Sequence, residues 1–230
     1  MLAKLLYFIF SHNWIAILYF NFKMLPFRQA IKLPFDFYYN VKFKSLNGNV
    51  KLEASSINRG MFKFGAQGSD MFSDNCVIID LKGKLILKGS VSIGTGSLLR
   101  VEKNGIVTFE DNVVIGAKSI ILCEDSITFK KKTITAWNCQ IMDTDTHSLI
   151  DIYSGQTYFR FAPIIIGERC WIGNNVIINK GVILPNNTTV ASNSLCNKDY
   201  TKVIQPFSVI GGIPANLIVK DRKRLDDKLG

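Results

Sequence analysis

The residues best suited to chemistry form an Asp-Thr-Asp-Thr-His segment at residues 143–147. A neutral imidazole can take a proton from a hydroxyl group near pH 7, and a neighbouring carboxylate or carbonyl group can fix its tautomer. His147 is therefore a candidate general base, and Asp145 and Asp143 are candidate partners or substitute bases. The same segment also suits a loop histidine that lies beside two turn-forming aspartates.

The other residues that commonly carry chemistry indicate no second site. Two histidines are too few for a three-histidine zinc site, and His12 lies within an apolar N-terminal segment. The five cysteines are scattered without a Cys-x-x-C pair, so we expect no metal site. They resemble small apolar core residues rather than a disulfide framework, which favours the reducing cytoplasm.

The charge of the chain indicates the kind of partner it meets. Its 28 Lys and Arg residues outnumber its 18 Asp and Glu residues, and the net charge is +10. Such a balance points to anionic partners such as phosphates, acidic glycans or a membrane surface. We expect no nucleic acid partner, because the chain carries no recognised nucleic-acid motif.

The element that must position these residues is visible as a repeat of six. A period of six fits neither an α-helix nor a two-sided strand, but it fits the short strands of a parallel β-helix. The same period continues upstream with one phase slip between Leu99 and Phe109, which predicts an irregular coil or a bulge there. The inward residues of the clearest stretch are Ile166, Ile172, Ile178, Leu184, Val190 and Cys196.

The chain divides around this repeat. The predicted fold is an all-β solenoid, a left-handed parallel β-helix with short helical segments at both ends. We predict a helical and irregular capping segment at 1–76, the β-helix at 77–210 and a basic tail at 211–230. A loop excursion at 147–163 interrupts the period, and loops of this length are more often functional than idle. The alternative is a surface flap without a role.

The N-terminal segment is apolar and aromatic. Lys4 and a polar cluster interrupt residues 1–22, so no run is long enough to span a bilayer, and no signal-peptide cleavage site follows. One or two helices that cap the open end of the solenoid are the simplest interpretation. In the alternative, the aromatic face and Lys23, Arg28 and Lys32 meet anionic lipid, which would give weak peripheral contact through residues 1–32.

Four short motifs carry a resemblance to a known family. The chain resembles the hexapeptide-repeat acyltransferases, specifically the sugar O-acetyltransferases that use acetyl-CoA. The match is strongest over residues 162–199. The motifs are Trp171-Ile172-Gly173, Asn179-Lys180-Gly181-Val182, Lys198-Asp199 and Gly212-Ile213-Pro214-Ala215.

The resemblance implies roles for the acceptor site. His147 corresponds to the general base, because the family places its catalytic histidine just before the same excursion. Trp171 corresponds to the tryptophan that shapes the acetyl and acceptor pocket. Asn138 falls where related enzymes carry an asparagine near the acceptor, and Tyr158 and Arg160 of the excursion are further candidates for substrate binding.

The resemblance also implies a path for acetyl-CoA along the outside of the coils. The family often has a lysine and a further basic residue where this chain has Asn216 and Val219, so Lys220 and the basic residues after it are candidates for the phosphate contacts. The alternative is a solvated basic tail. The remaining residues expected to line the pantetheine arm and nucleotide are Gly173, Asn174, Ser192, Asn197 and Lys198.

The function implied is acetyl transfer from acetyl-CoA to a hydroxyl of a sugar, of a capsule or O-antigen polysaccharide, or of its precursor. Direct attack on the thioester needs no acyl-enzyme. The resemblance also implies a homotrimer whose active sites lie between adjacent solenoids. One alternative is N-acetylation of a nucleotide-linked amino sugar, although residues 1–60 lack the glycine-rich loop of those relatives. Another is a non-catalytic scaffold at the membrane surface.

Overall fold

The computed structural model describes residues 11–66, 72 and 76–225, and most of its regular structure is short β-strand. Three sheets contain nearly all of these strands. The nine-stranded sheet runs, in spatial order, through β1 (Phe35–Phe37), β4 (Phe62–Ala66), β7 (Val91–Gly94), β10 (Val113–Ile115), β13 (Ile134–Thr135), β18 (Trp171–Ile172), β21 (Thr189–Val190), β23 (Val209–Gly212) and β24 (Ala215–Val219).

The other two sheets have seven and six strands. The seven-stranded sheet contains β2 (Val41–Leu46), β5 (Val77–Leu81), β8 (Leu98–Val101), β11 (Ile120–Cys123), β14 (Gln140–Met142), β19 (Ile177–Ile178) and β22 (Leu195–Cys196). The six-stranded sheet contains β3 (Asn49–Leu52), β6 (Lys84–Leu87), β9 (Ile106–Phe109), β12 (Ser126–Phe129), β17 (Ile164–Ile166) and β20 (Ile183–Leu184).

The chain visits the three sheets in turn, and from β1 to β23 the strands of these sheets pair in parallel with the strand one coil away. This is a three-sided prism, and the predicted left-handed parallel β-helix is confirmed. Trp171 pairs with Thr189 and Ile177 with Leu195, so a regular coil is three hexads long. All the inward residues predicted from the repeat are buried, from Ile166 to Cys196.

The β-helix begins earlier than the sequence predicted. Its first strands start at Phe35, within the segment 1–76 that we expected to be a helical and irregular cap. The inward residues of β1 in the first coil and of β4 in the second are aromatic, with Phe35, Phe37, Phe62 and Phe64 almost fully buried. The corners between these strands vary in length, so the six-residue period is absent although the strands stack in the same sheets.

The C-terminal end also differs from the prediction. In the described part of the tail there is no α-helix; β23 and β24 instead form an antiparallel hairpin that ends the nine-stranded sheet. The nearest helical turn is a 3₁₀ helix at Tyr200–Lys202. Residues 211–219 of the predicted tail therefore belong to the solenoid, whereas residues 226–230 lie outside the described range.

Two helices close the N-terminal end of the prism. Helix α1 (Trp14–Met24) begins after Asn13, whose side chain accepts a hydrogen bond from the Ala16 amide, and α2 (Phe27–Ala30) follows it. The Asn21 side chain donates to the Phe35 carbonyl and accepts from the Phe35 amide, which satisfies the free edge of β1. No helix in the described residues is long and apolar enough to cross a membrane. Residues 1–10 lie outside that range.

Candidate functional site

The loop excursion leaves the prism between β14 and β17. It therefore projects from the corner where the seven-stranded and six-stranded sheets meet, which we call the excursion edge. Its outer part is a small antiparallel hairpin of β15 (Leu149–Ile150) and β16 (Thr157–Tyr158). Its side chains are mostly exposed, so the excursion is a projecting arm rather than part of the core.

His147 is exposed on the first leg of this arm. The backbone before it is fixed, because the Thr146 amide donates to Thr144 Oγ1 at 2.9 Å and the Asp145 amide donates to the Arg160 carbonyl at 2.8 Å. Thr146 itself has a φ of 65°, which turns the chain sharply ahead of the histidine. Within the described ranges no side chain hydrogen-bonds the imidazole, which leaves it open to a reacting hydroxyl.

Lys180 holds the base of the arm, a role that sequence reasoning missed. Its ammonium lies 2.6 Å from Asp145 Oδ2 on the first leg and donates to the Phe159 carbonyl on the second leg at 2.7 Å. Lys180 follows β19 on the next coil, at the same excursion edge. Asp145 precedes His147 by two positions in the sequence, but its carboxylate forms an ion pair with Lys180.

Arg160 is a second anchor of the arm. Its Nε lies 2.6 Å from Glu124 Oε2, and its backbone amide donates to Ser148 Oγ at 3.1 Å. Tyr158 is half exposed on β16, farther out on the arm. The two residues predicted to bind substrate thus have different positions. Arg160 holds the arm in place, whereas Tyr158 remains accessible to a substrate.

Asp143 lies inside the prism and is not accessible to a substrate. It is fully buried, and its carboxylate accepts hydrogen bonds from the amides of Glu124 at 2.8 Å and Asp125 at 2.9 Å. Burial raises the pKa of this carboxyl above its ordinary value, and the two amides lower it again in part. Asp143 therefore stabilises the corner after β11, and its burial contradicts the prediction that it is a candidate base.

Asn138 also has a structural position. It occupies a left-handed corner with φ 58° between the nine-stranded and seven-stranded sheets, as do Asn175 and Asn193 below it. Asn138 Nδ2 donates to Asn175 Oδ1 at 2.7 Å, and Asn175 Nδ2 donates to Asn193 Oδ1 at 3.0 Å. This asparagine edge is a ladder that joins three coils, so the amide predicted to meet the acceptor is engaged elsewhere.

The residues predicted to contact acetyl-CoA lie in two groups. Gly173, Asn174 and Ser192 meet at the asparagine edge, where Ser192 Oγ donates to Asn174 Oδ1 at 2.6 Å. The coils approach so closely there that a Cβ on Gly173 would lie 2.6 Å from the Ser192 amide nitrogen. Asn197 and Lys198 follow β22 on the excursion edge instead.

Two lysines remain as candidates for the phosphate contacts. Lys198 Nζ donates to Asn216 Oδ1 at 3.2 Å and lies 5.6 Å from the centroid of the Tyr200 ring. Lys220 is exposed just after β24, which places it at the C-terminal end of the prism. Asn216 thus orients Lys198 toward this end.

Trp171 lies on the outer face of the nine-stranded sheet, half exposed, between Ile134 and Thr189. In a three-sided prism this face is opposite the excursion edge. Trp171 and His147 of one chain therefore lie on opposite sides of the solenoid, although they are close in sequence.

The cysteine thiols offer no alternative nucleophile in the interior. Burial raises the pKa of Cys139 to about 11 and those of Cys170 and Cys196 to about 12. Burial and the Asp143 carboxylate raise the pKa of Cys123 as well. These thiols are protonated at neutral pH and lie among core side chains, as small apolar residues do. Within the described residues, no group of three or more His, Cys, Asp or Glu could hold a metal ion.

Comparison with known proteins shows which enzymes this chain resembles. No family model matches the chain. A protein of Escherichia coli K12 named as a lipopolysaccharide biosynthesis O-acetyl transferase is 29% identical over 164 residues, which cover 65% of this chain and 82% of that protein. The polysialic acid O-acetyltransferase of Neisseria meningitidis is 25% identical, with 60% of this chain and 68% of that protein covered. The chain is similar to hexapeptide-repeat O-acetyltransferases, and it is an acyltransferase.

A crystallographic structure agrees with the fold of this acyltransferase. A polysialic acid O-acetyltransferase aligns with a TM-score of 0.52 and 22% identity, over 83% of this chain and 94% of that structure. The fold and the enzyme class predicted from the sequence are thus confirmed. The roles of individual residues in this acyltransferase remain predictions.

Proposed function

We propose that this acyltransferase transfers the acetyl group of acetyl-CoA to a hydroxyl of a cell-surface polysaccharide or its precursor. The observation that carries the proposal is the position of His147, an accessible imidazole on an arm anchored at both legs by Lys180. Similarity to enzymes named for lipopolysaccharide biosynthesis and for polysialic acid supports a polysaccharide acceptor.

The proposed reaction uses His147 as general base and then as general acid. The imidazole takes the proton of the acceptor hydroxyl while its oxygen attacks the thioester carbonyl carbon of acetyl-CoA. A backbone amide stabilises the resulting oxyanion. The carbon–sulfur bond then breaks, and the CoA sulfur takes the proton from the imidazolium. The products are an acetyl ester and CoA, and the histidine returns to its neutral form.

The burial of four thiols supports direct transfer rather than an acyl-enzyme. A thiol attacks as its thiolate, and the raised pKa values of Cys139, Cys170 and Cys196 keep these three groups protonated. Cys123 is held in the same way, by burial and by the carboxylate of Asp143. The hydroxyl of the acceptor is therefore the nucleophile in the proposed step.

We further propose that the active site forms between chains of a homotrimer. His147 and Trp171 lie on opposite sides of one solenoid, so an acceptor that touches both must lie between two copies. The arm carries the apolar surface that such a contact would cover. Its exposed large hydrophobic residues are Leu149, Ile150, Ile152, Tyr153, Tyr158, Phe159 and Phe161. A closed ring of three copies would give each arm a neighbouring nine-stranded sheet.

An acetyl-transfer assay tests the proposal. The purified protein is incubated with acetyl-CoA and a panel of capsular and O-antigen oligosaccharides, nucleotide-linked amino sugars and free sugars, and CoA release is measured. We expect an alkali-labile acetyl ester on an oligosaccharide. An alkali-stable amide on an amino sugar would favour N-acetylation instead. In a separate measurement, a melting temperature that no CoA species raises would contradict acyl transfer from CoA.

A further inference from the structure

One face of helix α1 is apolar and largely exposed, although its Tyr19 ring lies 6.0 Å from the Phe43 ring of β2. Its residues recur at the spacing of a single helical face. They are Ile15, Leu18, Tyr19 and Phe22, which are 83%, 48%, 52% and 48% exposed. We call this set the outer helix face. Exposed apolar patches of this kind mark an interaction site when they are contiguous.

The patch continues onto α2. The Phe22 and Phe27 rings lie 6.1 Å apart between centroids, and Phe27 is 70% exposed. Ile31, directly after α2, is also exposed. The two helices therefore present one continuous apolar and aromatic surface at the N-terminal end of the prism.

The opposite face of α1 already fills the end of the core. Phe20 is fully buried, and its ring lies 4.7 Å from that of Phe35 and 5.2 Å from that of Phe37. Ile17 is buried beside it. Because this face satisfies the requirement for a cap, capping the solenoid does not account for the apolar residues on the outer helix face.

The charged residues of the two helices and of the turn after them have one sign. Lys23, Arg28 and Lys32 are exposed beside it. The first acidic residue in the sequence is Asp36. Its side chain is buried, and its Oδ2 lies 3.2 Å from His12 Nε2. An apolar and aromatic helix surface whose own charged residues are all cations matches the interface of an anionic bilayer, where rings enter the headgroup region and ammonium groups meet lipid phosphates.

We infer that the outer helix face docks on anionic lipid. A second copy of the same face is the less suitable occupant, because it would bring Lys23, Arg28 and Lys32 of both chains together, and residues 11–35 carry no carboxylate to pair with them. The surface would lie in the interface and not cross it, since α1 has only 11 residues.

This docking leaves the acyltransferase site free. Five steps between neighbouring strands separate β1, which packs on α1, from β18, which carries Trp171. At about 4.8 Å a step, Trp171 stands roughly 24 Å from β1 along the prism. The inference therefore does not depend on the proposed reaction, and binding to lipid can be measured without acetyl transfer.

Co-sedimentation with vesicles tests the inference on the full chain. We expect binding to phosphatidylcholine vesicles that contain phosphatidylglycerol, and weaker binding when the salt concentration rises. The double variant Ile15→Glu/Phe22→Glu should reduce this binding about tenfold or more, because two interfacial side chains become charged. Val203→Glu, an exposed residue beside the 3₁₀ helix at the other end of the prism, is the matched control and should bind like the wild type.

A second pair of variants separates charge from apolar contact. Arg28→Gln should weaken binding to the phosphatidylglycerol vesicles about fivefold, as expected for one cation near an anionic surface. Lys103→Gln, which removes an exposed lysine far from α1, should leave binding unchanged. A melting temperature like that of the wild type serves as the check that every variant is folded.

Two results would overturn the inference. One is equal or absent binding of the wild type to vesicles with and without phosphatidylglycerol. The other is a change in molecular mass by light scattering in Ile15→Glu/Phe22→Glu with no change in vesicle binding, which would assign the face to contact between copies.

Discussion

The Lys180 ammonium lies 2.6 Å from the Asp145 carboxylate, across one step between coils of the β-helix. The same nitrogen donates to the Phe159 carbonyl at 2.7 Å, so a single side chain ties both legs of the arm together. His147 follows Asp145 by two positions. The pairing therefore fixes the place from which the imidazole can reach a substrate, and the position of the proposed base depends on the neighbouring coil.

The variant His147→Ala tests the proposed base. We expect the turnover number for acetyl transfer to fall by roughly 10²–10⁴-fold, the usual contribution of a general base. Because His147 is exposed on the arm, its removal opens no cavity, and the melting temperature and CoA binding should stay unchanged. Gln156→Ala, another exposed residue of the arm, is the control. Near-normal turnover of a folded His147→Ala protein would contradict the mechanism.

Lys180 is predicted to act as a positioning residue. Lys180→Met should lower the turnover number on the order of tenfold to a hundredfold, because the arm loses the contact that orients His147. The free energy of unfolding should change by less than about 1 kcal/mol, since the ion pair is partly exposed. Lys180→Arg should restore much of the turnover.

A second lysine tests whether the loss of any surface ion pair would lower the turnover number. Lys131 Nζ lies 3.4 Å from Glu168 Oε1 on a corner away from the arm. Lys131→Met should therefore leave the turnover number unchanged. Equal losses of turnover in Lys180→Met and Lys131→Met would show that the arm is not held by Lys180 in the way proposed.

Asp143 is predicted to contribute to stability and not to chemistry. An amide side chain offers one oxygen in place of two, so Asp143→Asn leaves a backbone amide of Glu124 or Asp125 without its acceptor. The free energy of unfolding should fall by about 1–3 kcal/mol, with turnover per folded molecule maintained. Asp145→Asn, at a half-exposed carboxylate, should change stability by less than about 1 kcal/mol. Chemical denaturation of the two variants distinguishes these roles.

The raised pKa of Asp143 gives this contribution a definite pH dependence. The folded chain binds the carboxyl proton more tightly than the unfolded chain does. The stabilisation is therefore complete below the ordinary carboxyl pKa of about 3.9 and decreases as the pH rises through the folded value. The difference in unfolding free energy between the wild type and Asp143→Asn should therefore become smaller as the pH rises. If this difference grows with pH instead, burial is not the main influence on the pKa of Asp143.

Trp171 is predicted to act on acceptor binding. Trp171→Ala should raise the KM for the acceptor on the order of tenfold, through lost apolar contact, and change the turnover number less. The side chain lies on the outer face of the sheet, so its removal should not unfold the protein. Ile177→Ala, on the exposed face of the neighbouring sheet, is the control. A loss confined to the turnover number would assign Trp171 a different role.

Part of the fold was predictable because its cause is local. Each hexad carries its own inward residue, such as Ile172 or Leu184, and the period survives in the sequence whatever the rest of the chain does. The first coil and the start of the second were missed because Phe35 and Phe62 stack on each other without the six-residue spacing of the later coils. Only their pairing through parallel strands identifies them as part of the β-helix.

The site divides in the same way. The sequence by itself determined the repeat, the excursion and the candidate base His147, since these depend on residue type and order along the chain. Only the tertiary structure decided that Asp143 is buried, that Lys180 pairs with Asp145 and that Trp171 faces away from His147. The reason is physical: contacts between coils join residues that are a full turn of the prism apart, and the length of each corner sets which residues meet.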